Sequence, residues 1–340
     1  MLIDADKARD TMIRALVGAG VTEEGAWIQS EVLLEAELRG LASHGLMRLP
    51  RLIERIANGV ADPKVTGSHQ WLRSTFLEVD GQAGLGPVVA MAALSQVRKR
   101  AAECGSAIAA IRNSNHLGML GYYAENVAEQ GQTLIGLSTS EALVHPWGGR
   151  TAMLGTNPIA IGLPTESGAF VVDTATSIVS MGKIHDHAQR GEPIPDHWAL
   201  DEDGNPTTDP VRAKNGSIAP FGEAKGYALG LAIELLVGNL AQAALGRDVR
   251  GTLDSTETCN KGDVFIVIDG PAGQLAPYLE QLRQTPPADG FDAVRIPGDR
   301  SKSLRSERMH DGLPVEDRVW AQIRQLAEVG HDQPSPRRPM

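Results

Sequence analysis

Residues 107–138 read AIAAIRNSNHLGMLGYYAENVAEQGQTLIGLS, two short apolar runs with a helical pattern between them. The runs Ala107–Arg112 and Thr133–Ser138 have the length and the small or branched apolar side chains of buried strands. Leu120–Gln130 has the composition of a helix, and a polar turn joins it to the first strand. A strand, a helix and a second strand in this order predict an α/β fold.

The same alternation continues in both directions along the chain. Further strands are predicted at residues 75–80, 159–164, 170–173 and 264–269, and further helices at 87–104, 224–240 and 274–284. Helical periodicity also predicts helices near the two ends, at 5–19, 22–39, 47–58 and 315–329. The polar segment 181–222 is expected to be rich in loops, and the proline-rich tail 331–340 is expected to be disordered.

The composition is that of a soluble globular protein large enough for two domains. The chain has 340 residues, of which 42% are hydrophobic and 22% charged, and its net charge is −10. An acidic chain with 4% aromatic residues is a poor candidate for binding nucleic acid, although one or two arginines suffice for a small anion. The first residues, MLIDADKARD, lack the apolar core of a secretory signal, and no apolar run is long enough to span a membrane. We therefore expect a cytoplasmic protein with two reduced cysteines, Cys104 and Cys259.

Ser43-His44-Gly45 and Arg48 lie where one predicted helix ends and the next begins. Serine and histidine at such a junction commonly cap a helix. A histidine there is also able to titrate near neutral pH and to act as a general acid or base. Arg48, four residues later, would share a helical face with His44 and bind a carboxylate through two parallel hydrogen bonds. From these residues alone both interpretations, cap and catalytic site, remain open.

Further polar clusters follow predicted strands, where ligands of α/β proteins usually bind, lie in a loop whose glycines let backbone approach a ligand closely, or begin a helix. They are Asn113–Gly118, Gly155–Pro158, Asp173–Ser177 and Lys225-Gly226. Turns and helix caps explain the first three as well, and a solvated side chain explains Lys225. The glycine spacing at Gly81–Gly86 differs from GxGxxG, so a Rossmann site is not supported. His185 and His187 would share one face of a strand, but no third ligand is evident nearby, and no metal site is predicted.

Taken together, these residues resemble the type 2 malate/L-lactate dehydrogenases, NAD(P)-dependent oxidoreductases that are unrelated to the Rossmann lactate dehydrogenases. The resemblance runs from about residue 3 to 329 and rests on six segments in order. They are RGLASHGLMRLPRLIERIANG (39–59), NSNHLGMLGYYAENVAEQG (113–131), PWGGRTAMLGTNPIAIGLP (146–164), VVDTATSIVSMGKI (171–184), IPDHWALDEDGNPTTDP (194–210) and KGYALGLAIELLVG (225–238). Members of the family include malate, sulfolactate and ureidoglycolate dehydrogenases and Δ1-piperideine-2-carboxylate reductases.

The resemblance implies a homodimer with a non-Rossmann fold. A helical domain from both chain ends, residues 1–118 and 285–330, would hold the substrate and the dimer contact, and residues 119–284 would form the NAD(P)-binding domain. His44 would be the acid/base, oriented by Ser43, and Arg48 would hold the substrate carboxylate. His116 would be the rival acid/base, and Thr156 would contact the substrate. Cofactor contacts would come from His116, Leu117, Gly118, Met119, Leu120, Asp173, Thr174, Ala175, Lys225 and Gly226.

Lys183 points to the class of substrate. It follows Gly182, where imine-reducing members of the family carry an acid. The resemblance therefore implies a 2-hydroxy acid dehydrogenase of the malate, lactate or sulfolactate type, with a cyclic imine reductase as the alternative. Lys183 would bind a second negative group of the substrate or a phosphate of the cofactor.

The segment after Pro297 points to the cofactor. Arg300, Lys302 and Arg305 lie in a predicted loop that aligns with a cofactor-contacting segment of the family. Three bases against one acid, Asp299, favour the 2′-phosphate of NADP, with NAD as the alternative.

Overall fold

The computed structural model describes residues 1–329, and its helices and strands lie at the following positions. The strands are β1 (Leu2–Ile3), β2 (Ser68–Arg73), β3 (Phe76–Asp80), β4 (Ser106–Arg112), β5 (Thr133–Ser138), β6 (Ile159–Thr165), β7 (Gly168–Thr174), β8 (Ala199–Leu200), β9 (Ser217–Ile218), β10 (Gly262–Ile268) and β11 (Leu313–Pro314). The helices are α1 (Ala5–Gly18), α2 (Glu23–Leu38), α3 (Leu49–Ala57), α4 (Gly86–Cys104), α5 (Leu120–Glu129), α6 (Met181–Arg190), α7 (Pro210–Ala213), α8 (Ala224–Ala241), α9 (Ala276–Arg283), α10 (Asp299–Asp311) and α11 (Asp317–Val329).

A seven-stranded sheet with the order β2-β3-β4-β10-β5-β6-β7 forms the centre of the molecule. β3 and β4 are parallel, and the other neighbours in this sheet are antiparallel. β10 lies between β4 and β5 and is antiparallel to both, so β4 and β5 run in the same direction without pairing. The α/β class is confirmed. The sequence of residues 107–138 does not indicate that β10 lies between β4 and β5. β10 is distant along the chain, and such long-range pairing leaves no local pattern.

The pairing directions bring one end of several strands to a common edge of the sheet. β3, β4, β5 and β7 end at this edge, and β6 and β10 begin there. The polar segment 113–118 follows β4, 155–158 precedes β6, and 173–177 continues from the end of β7. The topology therefore gathers three separate motifs of the sequence at one place.

Helices cover both faces of the sheet. Residues of α4 and α5 pack with Phe265 and Val267 on one face, while Val264 packs against Ile233 and Val237 of α8 on the other. The alternation along β10 is the two-residue periodicity of a strand buried on both sides.

Helices from the two chain ends form a second core. α1, α2, α3 and α11 bury a common apolar cluster, and β1 pairs with β11 beside it. The central sheet, however, crosses the boundary that the sequence analysis placed at residue 118, because β2, β3 and β4 precede that residue. The division into two domains stays a prediction.

Two helices lie in segments that were predicted to be loops. α6 buries only Ile184, which shares a short apolar face with the partly buried Met181, and α10 buries none of its residues, so the apolar stripe that reveals a helix is short in the first and missing in the second. His185 and His187 lie on helix α6, where residues two apart point in different directions, so they do not share the face that a strand would give them. No helix within residues 1–329 combines the length and apolarity needed to cross a membrane. The predicted disorder of the tail 331–340 lies outside the described residues.

Candidate active site

His44 lies in a tight turn between α2 and α3. Ser43 Oγ is 3.0 Å from His44 Nδ1, and Arg48 Nε donates a hydrogen bond of 2.7 Å to the carbonyl oxygen of Ser43. Neither Ser43 nor His44 is the N-cap residue of the 3₁₀ turns 42–44 and 46–48 or of helix α3, and the N-cap residues of these elements make no side-chain capping bond. Capping is therefore the wrong interpretation of Ser43 and His44, and the serine hydroxyl orients the imidazole instead.

Glu37, a buried carboxylate near the end of α2, supports the same turn. Its Oε2 accepts a hydrogen bond of 3.0 Å from the amide of Leu46, and a side chain at Gly45 would collide with it. Burial raises the pKa of Glu37. Sequence reasoning missed this residue, because α2 carries five glutamates and nothing local marks Glu37 as one that is buried.

His116 is placed by the turn that follows β4. The amide of Gly118 donates to His116 Nδ1 at 2.9 Å, and φ of Gly118 is +76°, a conformation that favours glycine. Asn115 does not cap α5. Its Nδ2 donates to the carbonyls of Ala83 and Gly84, and its Oδ1 accepts a hydrogen bond of 2.9 Å from Arg55 Nε.

This turn also explains the glycines at Gly81–Gly86. A Cβ at Gly86 would collide with the carbonyl oxygens of Asn115 and His116, and one at Gly81 would lie 2.7 Å from Ser114 Cβ. Gly81 and Gly86 therefore do not form a Rossmann fingerprint. Because they have no side chains, they leave room for the backbone that carries His116.

The two histidines face each other beside Arg48. Their ring centroids are 5.3 Å apart and the rings are tilted by 46°. Burial, followed by the charge of Arg48, lowers the pKa of His44 to about 3, and the same causes lower the pKa of His116 well below its ordinary value. Burial, followed by repulsion from Arg51, lowers the pKa of Arg48 to about 10. The pair is therefore neutral at physiological pH, next to a guanidinium.

A buried ion pair underlies the turn of His116. Lys261 and Asp263 are 2% and 0% exposed, and the Lys261 ammonium contacts both carboxylate oxygens at 2.5 Å. Asp263 also accepts hydrogen bonds from Ser138 at 2.6 Å and from Ser114 at 3.2 Å. The carboxylate thus ties the ends of β4 and β5 together. Sequence reasoning missed both charges because an acid and a base beside a strand usually face solvent.

Residues predicted to contact a cofactor lie along the same edge. Asp173 Oδ2 accepts a hydrogen bond of 2.6 Å from the amide of Gly121, and Thr174 and Lys225 are exposed. This set of a carboxylate, a hydroxyl and an ammonium suits the ribose and phosphate groups of a dinucleotide. Gly226 is explained by packing, because a Cβ there would collide with the carbonyl of Phe221.

Not every predicted cofactor residue is free to use its side chain. Leu117, Met119 and Leu120 are buried in the core, so a ligand would meet their backbone. Ala175 follows Thr174 and is half-buried. Their contacts with a cofactor stay predictions.

The basic residues after Pro297 belong to helix α10 rather than to a loop. Arg305 forms a two-point ion pair with Glu35, the ammonium of Lys302 donates to the carbonyl of Ala169 at 2.6 Å, and Asp299 pairs with Arg283. Arg300 is exposed on the first turn of the helix. Of the three bases, Arg300 is the one best placed to meet a phosphate.

The two remaining substrate candidates differ in their surroundings. The amide of Thr156 donates to Ser140 Oγ at 3.0 Å, and its carbonyl accepts from Thr176, which fixes Thr156 at the sheet edge. The Lys183 ammonium lies 4.8 Å from the centre of the Trp198 ring. Gly182, its neighbour, packs against Ser43, so the start of α6 lies close to the histidines.

Of two cavities formed by the described residues, one lies at the far end of the sheet and the other lies beside the histidines. The larger, of about 710 Å³, lies between the carboxyl ends of α4 and α5 and includes none of the predicted site residues. A narrow cavity of about 40 Å³ is lined by Arg48 and His116. The position of the histidines, rather than cavity size, therefore marks the candidate active site.

Comparison with known proteins gives the chain its family. The family model of malate/L-lactate dehydrogenase matches residues 3–324. The malate/(S)-sulfolactate dehydrogenase of Methanothermus fervidus is 36% identical over 338 residues, which cover 96% of this chain and 98% of that protein. The (2R)-3-sulfolactate dehydrogenase (NADP(+)) of Chromohalobacter salexigens is 33% identical, over 96% of this chain and 98% of that protein.

The fold agrees with a solved structure of a dehydrogenase from Sinorhizobium meliloti. The two superpose with a TM-score of 0.92 at 50% sequence identity, covering 96% of this chain and 98% of the other. The family model and these relatives match nearly the whole chain. The matched part includes the segments that carry His44, His116 and Asp173. The chain belongs to the malate/L-lactate dehydrogenase family, whose members include malate and sulfolactate dehydrogenases.

Proposed function

We propose that this protein is an NAD(P)-dependent 2-hydroxy acid dehydrogenase of the malate, lactate or sulfolactate type. The observation that supports this most is the pair of neutral histidines 5.3 Å apart beside Arg48. Arg48 has no carboxylate within 4.0 Å in the described part of the chain. A substrate carboxylate would supply the missing charge and place its neighbouring carbon beside the imidazoles.

His44 is the better acid/base of the two histidines. Nδ1 of His116 accepts the amide hydrogen of Gly118, so its neutral form carries the proton on Nε2, and a second proton would disrupt that bond. His44 Nδ1 faces a serine hydroxyl, which donates or accepts by rotating. His44 therefore gains and loses a proton without losing a partner, whereas His116 is suited to donate a hydrogen bond to the substrate oxygen.

A bound nicotinamide supplies or accepts the hydride at the carbon that bears this oxygen. The residues of the chain then handle charge and position. Arg48 holds the carboxylate, and neutral His44 removes the proton of the hydroxyl during oxidation. During reduction His44 must first take up a proton, which it then gives to the substrate oxygen; the substrate carboxylate on Arg48 favours this uptake because it offsets the charge that lowers the pKa of His44. Thr156 and Lys183 would contact the substrate. Asp173, Thr174 and Lys225 would hold the cofactor, and Arg300 would contact the 2′-phosphate of NADP.

A panel assay tests this function. Oxidation of NADPH and NADH should be followed with oxaloacetate, pyruvate, sulfopyruvate and Δ1-piperideine-2-carboxylate. We expect turnover of at least one 2-oxo acid to exceed turnover of the imine. The opposite order would assign the chain to the cyclic imine reductases.

The low pKa of His44 predicts an unusual pH profile for oxidation of the 2-hydroxy acid. The acid limb of kcat/KM reports the pKa of the base in the enzyme without bound substrate. An ordinary histidine would lose its base form below about pH 6.5, whereas His44, with a pKa of about 3, stays deprotonated. We expect kcat/KM to remain flat from about pH 8 down to about pH 5. A tenfold fall per pH unit below about pH 6.5 would contradict the neutral histidine.

Preference for NADP predicts a selective effect of Arg300. Loss of one charge-assisted contact in Arg300→Ala should raise KM for NADPH on the order of tenfold and leave KM for NADH nearly unchanged. Salt should weaken NADPH binding more than NADH binding. Arg295→Ala, which removes an exposed arginine before the helix, serves as the matched control. A wild-type protein that prefers NADH would contradict the assignment.

The same proposal includes a homodimer, with its contact at α8, in the predicted NAD(P)-binding domain, rather than in the helical domain from both chain ends that the resemblance implies. Leu229, Leu235 and Leu236 are exposed at 42%, 51% and 43% on a helix whose opposite side packs on the sheet. Apolar side chains clustered in this way mark an interaction surface. Light scattering should give the mass of a dimer, and Leu235→Glu with Leu236→Glu should give a monomer. Leu72→Glu, at an exposed leucine on β2, should remain dimeric.

We also place the protein in the cytoplasm. Cys104 and Cys259 are both free thiols, which is typical of proteins in reducing compartments.

A further inference from the structure

The narrow cavity beside Arg48 and His116 has a strongly basic wall. It lies between α2, α3 and the segment 251–252, and its volume of about 40 Å³ holds roughly three water molecules. Its polar lining consists mainly of Gln29, Arg48, Arg51, Arg55, Asn115 and His116. A small anionic group fits such a space, and an aromatic group does not.

The three arginines are not equally available to a ligand. Arg55 is buried, and its guanidinium donates to Asn115 Oδ1 and to the carbonyls of Asp254 and Glu257. Arg51 is exposed at the mouth and donates from Nη1 to the carbonyl of Leu253. Arg48, between them in depth, donates from Nε to Ser43. Arg48 and Arg51 therefore keep further N–H groups for a ligand.

Their positive charges lie close together without compensation. Arg48 and Arg51 are three residues apart at the start of α3, which places their side chains on one face of the helix. Repulsion from Arg51 contributes to the lowered pKa of Arg48. Within residues 1–329 neither has a carboxylate within 4.0 Å. Gln29 Oε1, on the same wall, is buried without a hydrogen-bond partner among these residues.

Two neighbouring guanidiniums are matched by two neighbouring negative charges. If Arg48 holds the carboxylate next to the reacting carbon, a second acidic group one or two carbons further along the substrate lies within reach of Arg51. Gln29 would contribute its amide N–H to the same group once its side chain is rotated. The other basic candidate, Lys183, already places its ammonium over the Trp198 ring.

We propose that Arg51 is a specificity-determining residue that binds the second negative group, a carboxylate or sulfonate, of a dianionic 2-oxo acid. The inference rests on the proposed function and adds to it the class of substrate. It assigns the second charge to α3 rather than to Lys183.

Steady-state kinetics of Arg51→Gln in the full-length enzyme test the proposal. Oxaloacetate and 2-oxobutyrate share a four-carbon skeleton and differ in the second carboxylate. We expect kcat/KM for oxaloacetate to fall on the order of 10–100-fold and kcat/KM for 2-oxobutyrate to change less than about threefold. Added salt should reduce the preference of the wild type for oxaloacetate. Arg73→Gln, at an exposed arginine on β2, is the matched control and should change neither value.

Two results would overturn the assignment of Arg51. One is an equal loss for both substrates in Arg51→Gln, and the other is loss of the dianion preference in Lys183→Gln but not in Arg51→Gln. A separate measurement keeps the subsite distinct from the activity. Calorimetry without cofactor should show malonate binding to the wild type and at least tenfold weaker binding to Arg51→Gln. If the enzyme turns over no 2-oxo acid, but malonate binds to the wild type and binds more weakly to Arg51→Gln, the proposed function is wrong and the anion subsite is still supported. If malonate does not bind to the wild type, the proposed anion subsite is wrong.

Discussion

Replacing His44 by alanine should lower kcat by on the order of 10²–10⁴-fold while the protein remains folded. Acid–base catalysis by a positioned side chain contributes a factor of this size. His44 is half-buried in a turn that Glu37 and Arg48 hold through backbone atoms, so removal of the imidazole leaves those contacts in place. The measurement is kcat with the best substrate of the panel, together with a thermal unfolding curve.

His116 provides the comparison that makes this result specific. His116→Gln keeps a hydrogen-bond donor but removes the imidazole, and we expect it to lose less activity than His44→Ala. Its pH profile should keep the shape of the wild type, because the proton carrier is still present. Near-normal turnover in His44→Ala, with a collapsed pH profile in His116→Gln, would transfer the role of acid/base to His116.

The sequence predicted the parts of the site that depend on local chemistry. Ser43, His44 and Arg48 lie within six residues. A single turn of the chain therefore brings the Ser43 hydroxyl to the His44 imidazole, and it lets the Arg48 guanidinium donate a hydrogen bond to the carbonyl of Ser43. The meeting of His44 with His116 could not be derived locally, since 71 positions separate them and the sheet topology brings them together. The resemblance to the family supplied that pairing.

The fold was predictable to the same extent. Apolar runs located β3, β4, β5 and β10 closely, because buried strands need such side chains. The insertion of β10 between β4 and β5 was not visible, nor was α10, whose residues carry no periodic apolar signal. The apolar face of α6 is limited to Met181 and Ile184 within a polar segment, and it was overlooked. Buried charges such as Glu37 and Lys261 were missed because a sequence does not show which polar residues lose contact with water.

Replacing Asp263 by alanine should destabilise the fold by about 3–5 kcal/mol, because a buried charge is left without its partner. The Lys261 ammonium would remain 2% exposed with no carboxylate, and the hydroxyls of Ser114 and Ser138 would lose their acceptor. Urea unfolding, with the midpoint and slope fitted together, measures the loss.

The double variant separates the ion pair from simple loss of packing. When Lys261→Met accompanies Asp263→Ala, no uncompensated charge is buried, so the double variant should be more stable than Asp263→Ala alone. A single-variant loss below about 1 kcal/mol would mean that water reaches the ammonium and that the pair does not hold β4 to β5.

If the pair does hold them, Asp263→Asn should also weaken turnover, since Ser114 and the turn carrying His116 depend on that carboxylate for their position at the sheet edge.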